Sequence, residues 1–168
     1  MIQKTLVLIK PDGVKRNLIG KIINYYEEGG LVVKELKMIQ ADPELVKQHY
    51  PEDEEYLRSI GEKSQKSDPT ITDVVGQGRK VVGWLQDYLT MGPIVAMVLE
   101  GEEAVPLVRK ITGFTDPTQA DKGTIRGDLG EDSIVKANAE NRPCYNMIHA
   151  SGNPEEAEKE LSIWFPQE

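Results

Sequence analysis

The order of strand-like and helix-like segments predicts an α/β domain of the α+β type. We expect a ferredoxin-like fold, in which a four-stranded antiparallel sheet carries flanking helices. Two short and almost wholly apolar runs, residues 5–9 and 94–99, have the composition of buried strands. Helix signals separate the first predicted strand from the second and the third from the fourth, as in a split βαβ arrangement. A doubly wound parallel sheet is the alternative that this order leaves open.

Turn and cap residues delimit the elements of the first half of the chain. Lys10-Pro11-Asp12-Gly13 has turn chemistry and stops the first strand, and Gly29-Gly30 ends the first helix. Asp42 is a suitable cap for a second helix, with Pro43 in its first turn. The predicted elements are a strand at 5–9, a helix at 18–28, a strand at 31–40 whose alternation shifts once, and a helix at 43–50.

The second half contains two long polar segments between apolar elements. Residues 51–80 predict an inserted helical lobe plus loop, in which the glycine-rich run Gly76-Gln77-Gly78 is expected to be a flexible loop. Residues 115–141 predict a connection that is largely loop, with a short helix near 134–137. The other predicted elements are helices at 81–91, 104–112 and 154–165 and strands at 94–99 and 145–150.

Composition limits the classes of partner. The chain has 168 residues, enough for one domain, and a net charge of −8 from 28 acidic and 20 basic residues. We therefore expect no nucleic-acid partner and no membrane surface, although an anionic small molecule can bind where basic residues converge. The single cysteine, Cys144, excludes an intrachain disulfide and fits a cytoplasmic protein. No signal-peptide core and no apolar run of about 20 residues occurs.

A histidine near the C-terminal end is the strongest candidate nucleophile. The run Asn146-Met147-Ile148-His149-Ala150-Ser151 places His149 at the end of an apolar stretch, just before a helix signal. On that helix, Glu160 shares the inner face with apolar side chains. A neutral imidazole oriented by a carboxylate is a competent nucleophile at neutral pH. The alternatives are a structural histidine and a Glu160 carboxylate that extends to water.

Basic side chains indicate that the partner of this nucleophile is a phosphate. Arg126 lies between glycines in a predicted loop, and a guanidinium matches the geometry of a phosphate. Arg109 lies near a helix end, where pairing with the helix dipole is the alternative, and Lys10 ends the first strand, where a solvated lysine is as common. No Walker A motif occurs. His49 and His149 are far apart in sequence, so we expect no metal held by protein ligands alone.

Several runs, in order along the chain, resemble the nucleoside diphosphate kinase family, and together they cover most of the sequence outside two regions. The resemblance identifies 1–168 as a single domain with insertions at about 51–80 and 128–145. The matching runs are Lys4-Thr5-Leu6 with Ile9-Lys10-Pro11-Asp12-Gly13-Val14, Gly92-Pro93-Ile94-Val95-Ala96-Met97-Val98-Leu99-Glu100-Gly101, Gly123-Thr124-Ile125-Arg126-Gly127-Asp128, the run around His149, and Glu156-Ala157-Glu158-Lys159-Glu160 with Trp164-Phe165.

The resemblance implies an enzyme that moves the γ-phosphate of a nucleoside triphosphate, typically ATP, to a nucleoside diphosphate by a ping-pong mechanism through a phosphohistidine. It implies His149 as the nucleophile, with Glu160 on the other imidazole nitrogen directly or through Ser151, and Tyr50 beside the histidine. It also implies a Mg²⁺ cofactor held mainly by the nucleotide phosphates, and a homo-oligomer, with a hexamer as the first expectation. The nucleotide-binding residues implied are Lys10 and Asn146 at the ribose, Arg109, Thr115 and Arg126 at the phosphates, and Val81 and Leu85 at the base.

The chain departs from the family in both insertions and at one base-site residue. Val81 stands where the family commonly has a phenylalanine that stacks on the base, and Trp84 or Tyr56 can supply a replacement ring. We expect the first insertion to form a lid over the base, so that deletion of residues 52–66 raises the KM for nucleotides. Two other functions remain open: a non-catalytic nucleotide-binding regulatory module on the same fold, and a phosphocarrier that accepts phosphate from a protein.

Overall fold

A four-stranded antiparallel sheet lies at the centre of the computed structural model, which describes residues 1–167. Its strands are β1 (Ile2–Ile9), β2 (Val32–Ile39), β3 (Ile94–Glu102) and β4 (Ile148–Ala150), in the order β2-β3-β1-β4. The predicted ferredoxin-like fold is thereby confirmed. Since each neighbouring pair of strands is antiparallel, the alternative of a doubly wound parallel sheet is wrong. The predicted shift within the second strand is present as an irregularity between Val33 and Glu35.

Helices cover both faces of this sheet, which explains why its central strands are almost wholly apolar. Val7 and Ile9 of β1 face one core, while Leu6 and Leu8 face the other. The helices are α1 (Pro11–Lys15), α2 (Ile19–Glu28), α3 (Pro43–His49), α4 (Glu54–Ser67), α5 (Val74–Thr90), α6 (Ala104–Thr112), α7 (Ile125–Leu129), α8 (Ile134–Ala139) and α9 (Pro154–Trp164). Helices α2 and α6 pack on the first core, and α3, α4, α5 and α9 pack on the second. No helix in residues 1–167 is long and apolar enough to cross a membrane.

The glycine-rich run that was expected to be a flexible loop is helical. Helix α5 begins at Val74, capped by the Asp73 carboxylate, which accepts a hydrogen bond from the Gly76 amide at 3.0 Å. A Cβ atom on Gly78 would lie 1.8 Å from the carbonyl oxygen of Leu57 in α4. The prediction failed because this glycine permits close helix packing and does not break the helix. The segment predicted to be the first insertion therefore forms a hairpin of α4 and the start of α5.

The second long segment also has more helix than predicted. A 3₁₀ turn at Pro117–Gln119 precedes α7 and α8, so the prediction that Arg126 lies in a loop is wrong. The Thr124 hydroxyl caps α7 by accepting from the Gly127 amide at 3.0 Å, a local signal that the two flanking glycines obscured. Farther along, Arg142 pairs with Asp132 at 2.6 Å, and Asp132 also accepts from the Tyr145 amide at 2.8 Å. This ion pair joins the two ends of the second insertion.

Two element boundaries, at the C-terminal end of β1 and at the start of β4, differ from the prediction in a way that shapes the site. Residues 10–13 do not form a simple turn, because Lys10 caps the short helix α1. Strand β4 starts at Ile148, not at residue 145, because Met147 has a φ of 68° that strand pairing does not allow. The Met147 carbonyl instead accepts from the Lys10 amide at 2.7 Å, which brings the ends of β1 and β4 together.

Candidate active site

A cleft of about 300 Å³ opens beside the ends of β1 and β4. The fold gathers there eight side chains that the sequence had assigned to catalysis or nucleotide binding: Lys10, Tyr50, Leu85, Arg109, Thr115, Arg126, Asn146 and His149. Seven further residues line the same cleft, namely Tyr56, Ile60, Lys63, Thr112, Gly113, Ile148 and Ala150. Among these, Tyr56 had been considered as a replacement ring, and Ile148 and Ala150 belong to the run around His149. The other four, Ile60, Lys63, Thr112 and Gly113, carry no motif that sequence reasoning would have found. Glu160 and Ser151 lie behind the cleft wall.

Lys10 and Asn146 form a buried polar contact at the floor of the cleft. The Lys10 ammonium donates to Asn146 Oδ1 at 3.3 Å and lies 4.6 Å from the centre of the Tyr88 ring. The Asn146 amide donates in turn to the Thr115 carbonyl at 3.0 Å. Burial lowers the pKa of Lys10 to about 8, and the positive charge of Arg126 adds to this effect. A lysine held in this way gains strongly from a bound anion.

Arg126 is buried and is tied to the backbone around the cleft. Its guanidinium donates to the carbonyls of Gly113 and Asn146, each at 3.2 Å, and to the carbonyl of Ile148. A guanidinium has five N–H groups, so three of these bonds leave about two donors for a ligand. Burial lowers the pKa of Arg126, but the group keeps its charge at any physiological pH. The residue thus combines an anchoring contact with a fixed positive charge.

Arg109 and Thr115 lie on the exposed side of the cleft, around the end of α6. The helix ends at Gly113, whose φ of 92° turns the chain sharply toward Thr115. Both side chains are exposed, and the Arg109 guanidinium makes no protein hydrogen bond or ion pair within residues 1–167. Unlike Arg126, Arg109 is therefore free to rearrange around a ligand.

His149 presents one ring nitrogen to the cleft and holds the other against a carboxylate. The residue lies in the middle of β4, opposite Leu8 of β1, and its side chain is 19% exposed. Its Nε2 atom hydrogen bonds to Glu160 Oε2, whereas Nδ1 has no hydrogen-bond partner in the described chain. Burial, together with the charges of Lys10 and Arg126, lowers the pKa of His149 to about 3. The ring is therefore neutral at physiological pH, and its Nδ1 lone pair is available.

Glu160 contacts His149 directly and not through Ser151. It lies on the inner face of α9, as its helical spacing indicated, and only 7% of the residue is exposed. Burial raises the pKa of its carboxyl group. Ser151 is fully buried, and its hydroxyl has no hydrogen-bond partner within the described residues. Tyr50 packs edge-on to the His149 ring at a centroid distance of 6.2 Å.

His49 is a component of the site that sequence reasoning missed. Its ring centre lies 4.4 Å from that of His149, and its Nδ1 atom lies 3.3 Å from Glu160 Oε2. Ligand atoms of His49, His149 and Glu160 all lie within 4.8 Å of one another, so distance along the sequence was a poor reason to set a metal cluster aside. One nitrogen of each histidine ring is already in a hydrogen bond. His149 Nε2 bonds to Glu160, and Trp164 donates to His49 Nδ1 at 3.0 Å. The adjacent pair His49-Tyr50 was the available signal.

The first insertion contributes one wall of the cleft. Tyr56, Ile60 and Lys63 lie at helical spacing on α4 and face the opening. Val81 is half-buried on α5 and does not line the cleft, although Leu85, one turn later, does. Trp84 also stays outside the lining residues and packs instead under the Lys80 ammonium, 4.9 Å from the ring centre. Of the two rings considered as replacements, Tyr56 is the one at the cleft.

Comparison with known proteins agrees with this arrangement. The family model described as nucleoside diphosphate kinase matches residues 3–82 and 74–168. A nucleoside diphosphate kinase of Pyrobaculum aerophilum is 45% identical over 177 residues, which is 99% of this chain and 97% of the relative. A nucleoside diphosphate kinase of Methanobrevibacter smithii is 39% identical over 168 residues, or 100% of this chain and 90% of the relative.

Solved structures give the same result. An NDP kinase from Pyrobaculum aerophilum superposes with a TM-score of 0.91 at 42% identity, covering 98% of this chain and 96% of that one. A transition-state mimic of the nucleoside-diphosphate kinase from Borrelia burgdorferi, with bound vanadate and ADP, superposes with a TM-score of 0.80 at 35% identity, covering 98% and 87%. With a family model matched along nearly its whole length, the chain belongs to the nucleoside diphosphate kinase family and is a phosphotransferase.

Proposed function

We propose that His149 carries the γ-phosphoryl group between a nucleoside triphosphate and a nucleoside diphosphate. The observation that supports this role best is that the two nitrogens of its imidazole have different environments. Nε2 is held by the Glu160 carboxylate, while Nδ1 has no hydrogen-bond partner in the described chain, and the cleft that His149 lines carries the positive charges of Lys10, Lys63, Arg109 and Arg126. A neutral, oriented and partly desolvated imidazole is the arrangement that nucleophilic catalysis requires.

In the proposed step, the lone pair of His149 Nδ1 attacks the γ-phosphorus in line with the leaving oxygen. The N–P bond forms as the P–O bond breaks, and the diphosphate leaves with the electron pair. The hydrogen on Nε2 remains in the contact with Glu160, which offsets the positive charge that develops on the ring. The second half-reaction reverses these changes on another diphosphate. Phosphoryl transfer needs mainly positioning and charge, and Lys10, Arg109 and Arg126 supply both.

The cleft fits a magnesium ion that is bound through the substrate. Aspartate and glutamate are absent from the described residues that line it, and the ionisable walls are lysine, arginine, histidine and tyrosine. Mg²⁺ commonly takes phosphate oxygens and water as ligands, so such a cleft suits a metal that arrives with the nucleotide. When bound, Mg²⁺ neutralises phosphate charge during transfer. No protein side chain is assigned as its ligand.

The same cleft also suits the rest of the nucleotide. We assign Lys10 and Asn146 to the ribose and phosphate end and Thr115 to the phosphates, because all three meet around one hydrogen-bonded chain. Leu85 and Tyr56 offer apolar and aromatic surface for a base, and Val81 contributes indirectly as a half-buried neighbour on α5. Base stacking on aromatic side chains tolerates any base, so this wall implies broad base acceptance.

The mechanism is tested by trapping the intermediate. The protein is incubated with γ-labelled ATP and Mg²⁺, and the label is examined for stability in acid and in base. We expect acid-labile, base-stable label that a second nucleoside diphosphate removes, and no label on His149→Ala. Absence of label on the wild-type chain, or label that persists on His149→Ala, would falsify the mechanism. The first outcome would favour a non-catalytic nucleotide-binding module.

We further propose that the chain forms a homo-oligomer, with a hexamer as the first expectation. Strand β2 lies at an edge of the sheet and exposes Val32, Leu36 and Met38. Such an edge is usually covered in a stable protein. Sedimentation equilibrium of wild type and of Leu36→Lys tests this, since the charge should lower the assembly mass. One cysteine, Cys144, is consistent with a cytoplasmic location.

A further inference from the structure

His49 occupies the space directly behind the nucleophile. It is the last residue of α3, its side chain is 1% exposed, and its ring lies among three others. The centroid distances are 4.5 Å to Tyr50, 4.4 Å to His149 and 5.6 Å to Trp164, all with edge-to-face geometry. These contacts fix the plane of the ring and leave only its proton position variable.

One oxygen, Glu160 Oε2, serves both histidines. It hydrogen bonds to His149 Nε2 and lies 3.3 Å from His49 Nδ1. Trp164 can only donate, and it donates to the same Nδ1 at 3.0 Å, so in this arrangement His49 carries its proton on Nε2. That Nε2 atom is buried without a hydrogen-bond partner in residues 1–167. A buried N–H group without an acceptor is unfavourable, so the other tautomer is accessible.

In the other tautomer, His49 carries its proton on Nδ1 and donates it to Glu160 Oε2, and Trp164 loses its acceptor. We infer that His49 is a positioning residue for phosphoryl transfer, which donates to Glu160 while His149 carries developing positive charge. The inference rests on the proposed role of His149. A carboxylate offsets that charge only when it is ionised and aimed at Nε2, and an N–H donor favours both conditions. The two tautomers of His49 carry the same number of protons and the same charge, so the donor form requires no net proton uptake by the site.

The surroundings of Glu160 explain why such a donor is needed. Burial raises the pKa of its carboxyl group, so the ionised form depends on the hydrogen-bond donors around it. Burial also lowers the pKa of His49 well below its usual value, so His49 is neutral and acts on Glu160 only through an N–H group. The other ionisable groups that face this carboxylate or its histidine partner come from the surrounding elements: Lys10, Tyr50, Tyr56, Arg109, Arg126, His149, Glu156 and Lys159.

Substitutions of His49 separate positioning from packing. His49→Leu fills most of the space without a hydrogen-bonding group, whereas His49→Asn retains an N–H donor near the position of Nδ1. We expect His49→Leu to slow single-turnover phosphorylation of His149 by about 10–100-fold, the range for groups that orient a reacting residue. The KM for ATP should stay within about twofold, because His49 does not line the cleft. His49→Asn should recover at least tenfold of the lost rate.

The pH profile of the same rate supplies a readout that packing does not affect. Without a donor, Glu160 takes a proton at higher pH. The acid limb of the single-turnover pH profile should therefore move to higher pH in His49→Leu and return toward the wild-type position in His49→Asn. Trp164→Phe removes the competing N–H donor and should move the acid limb to lower pH. An unchanged limb in His49→Leu overturns the inference, as does an asparagine variant no faster than the leucine variant. If the leucine variant does not fold, Trp164→Phe decides the inference: an acid limb that does not move to lower pH overturns it. Wild-type protein that forms no phosphohistidine overturns the proposed function instead.

Discussion

Arg126 offers a direct test of whether a site arginine serves the fold as well as the substrate. Its guanidinium bonds to the carbonyls of Gly113, Asn146 and Ile148, which come from two segments around the cleft, the end of α6 and the start of β4. The substitution Arg126→Lys keeps the charge but provides a single ammonium group. An ammonium at the end of a flexible chain reaches about one of the three carbonyls, so about two hydrogen bonds from a charged donor are lost. The Asn146 carbonyl keeps a second donor, because it also accepts from the Ile148 amide at 2.8 Å.

The cost follows from the number of bonds lost. A hydrogen bond to a charged group contributes about 1.5–3 kcal/mol, so two lost bonds amount to about 3–6 kcal/mol. Water that enters the opened cleft satisfies part of this demand, and we expect Arg126→Lys to lower the free energy of unfolding by about 3 kcal/mol. A typical domain has about 5–15 kcal/mol, so the variant should still fold.

Urea unfolding measures the effect, with the fluorescence of Trp84 and Trp164 as the signal. All variants are compared at one protein concentration, because assembly contributes to apparent stability. Arg109→Lys is the matched control: the Arg109 guanidinium is exposed and unbonded in the described chain, so its stability should change by about 0.5 kcal/mol or less while its KM for nucleotides rises. Equal stability of both variants would refute the anchoring role of Arg126.

Three further outcomes follow from the same contacts. The pKa of Lys10, lowered to about 8, predicts that kcat/KM falls as pH rises through about 8 and the ammonium loses its charge; a profile that stays flat to pH 10 contradicts this. Gly78→Ala should destabilise the fold by about 1–3 kcal/mol, because the new Cβ would lie 1.8 Å from the Leu57 carbonyl. Gly83→Ala in the same helix meets nothing within 4 Å and should stabilise it by about 0.5–1 kcal/mol, as thermal unfolding of both variants will show. Tyr56→Ala should raise the KM for nucleotides about fivefold or more with little change in kcat, and an unchanged KM would remove the first insertion from the nucleotide site.

Sequence patterns were reliable where local physics decides the outcome. The almost wholly apolar composition of β1 and β3 predicted buried strands, because an all-apolar run has few other stable environments. The spacing on α9 placed Glu160 on the inner face because helical periodicity is a local property. Composition was less reliable at glycines. Gly78 is as compatible with a loop as with a helix when only its neighbours along the chain are considered.

Taken alone, the sequence determined the fold class, the nucleophile candidate and the charged groups around it, because each follows from periodicity, turn chemistry or a contiguous motif. Only the tertiary structure decided that His49 touches His149, that Arg126 is bonded to three carbonyls, and that Tyr56 and not Trp84 reaches the cleft. These contacts join residues that are distant along the chain, and such contacts depend on how helices pack against the sheet. Side-chain spacing within one segment carries no information about that packing.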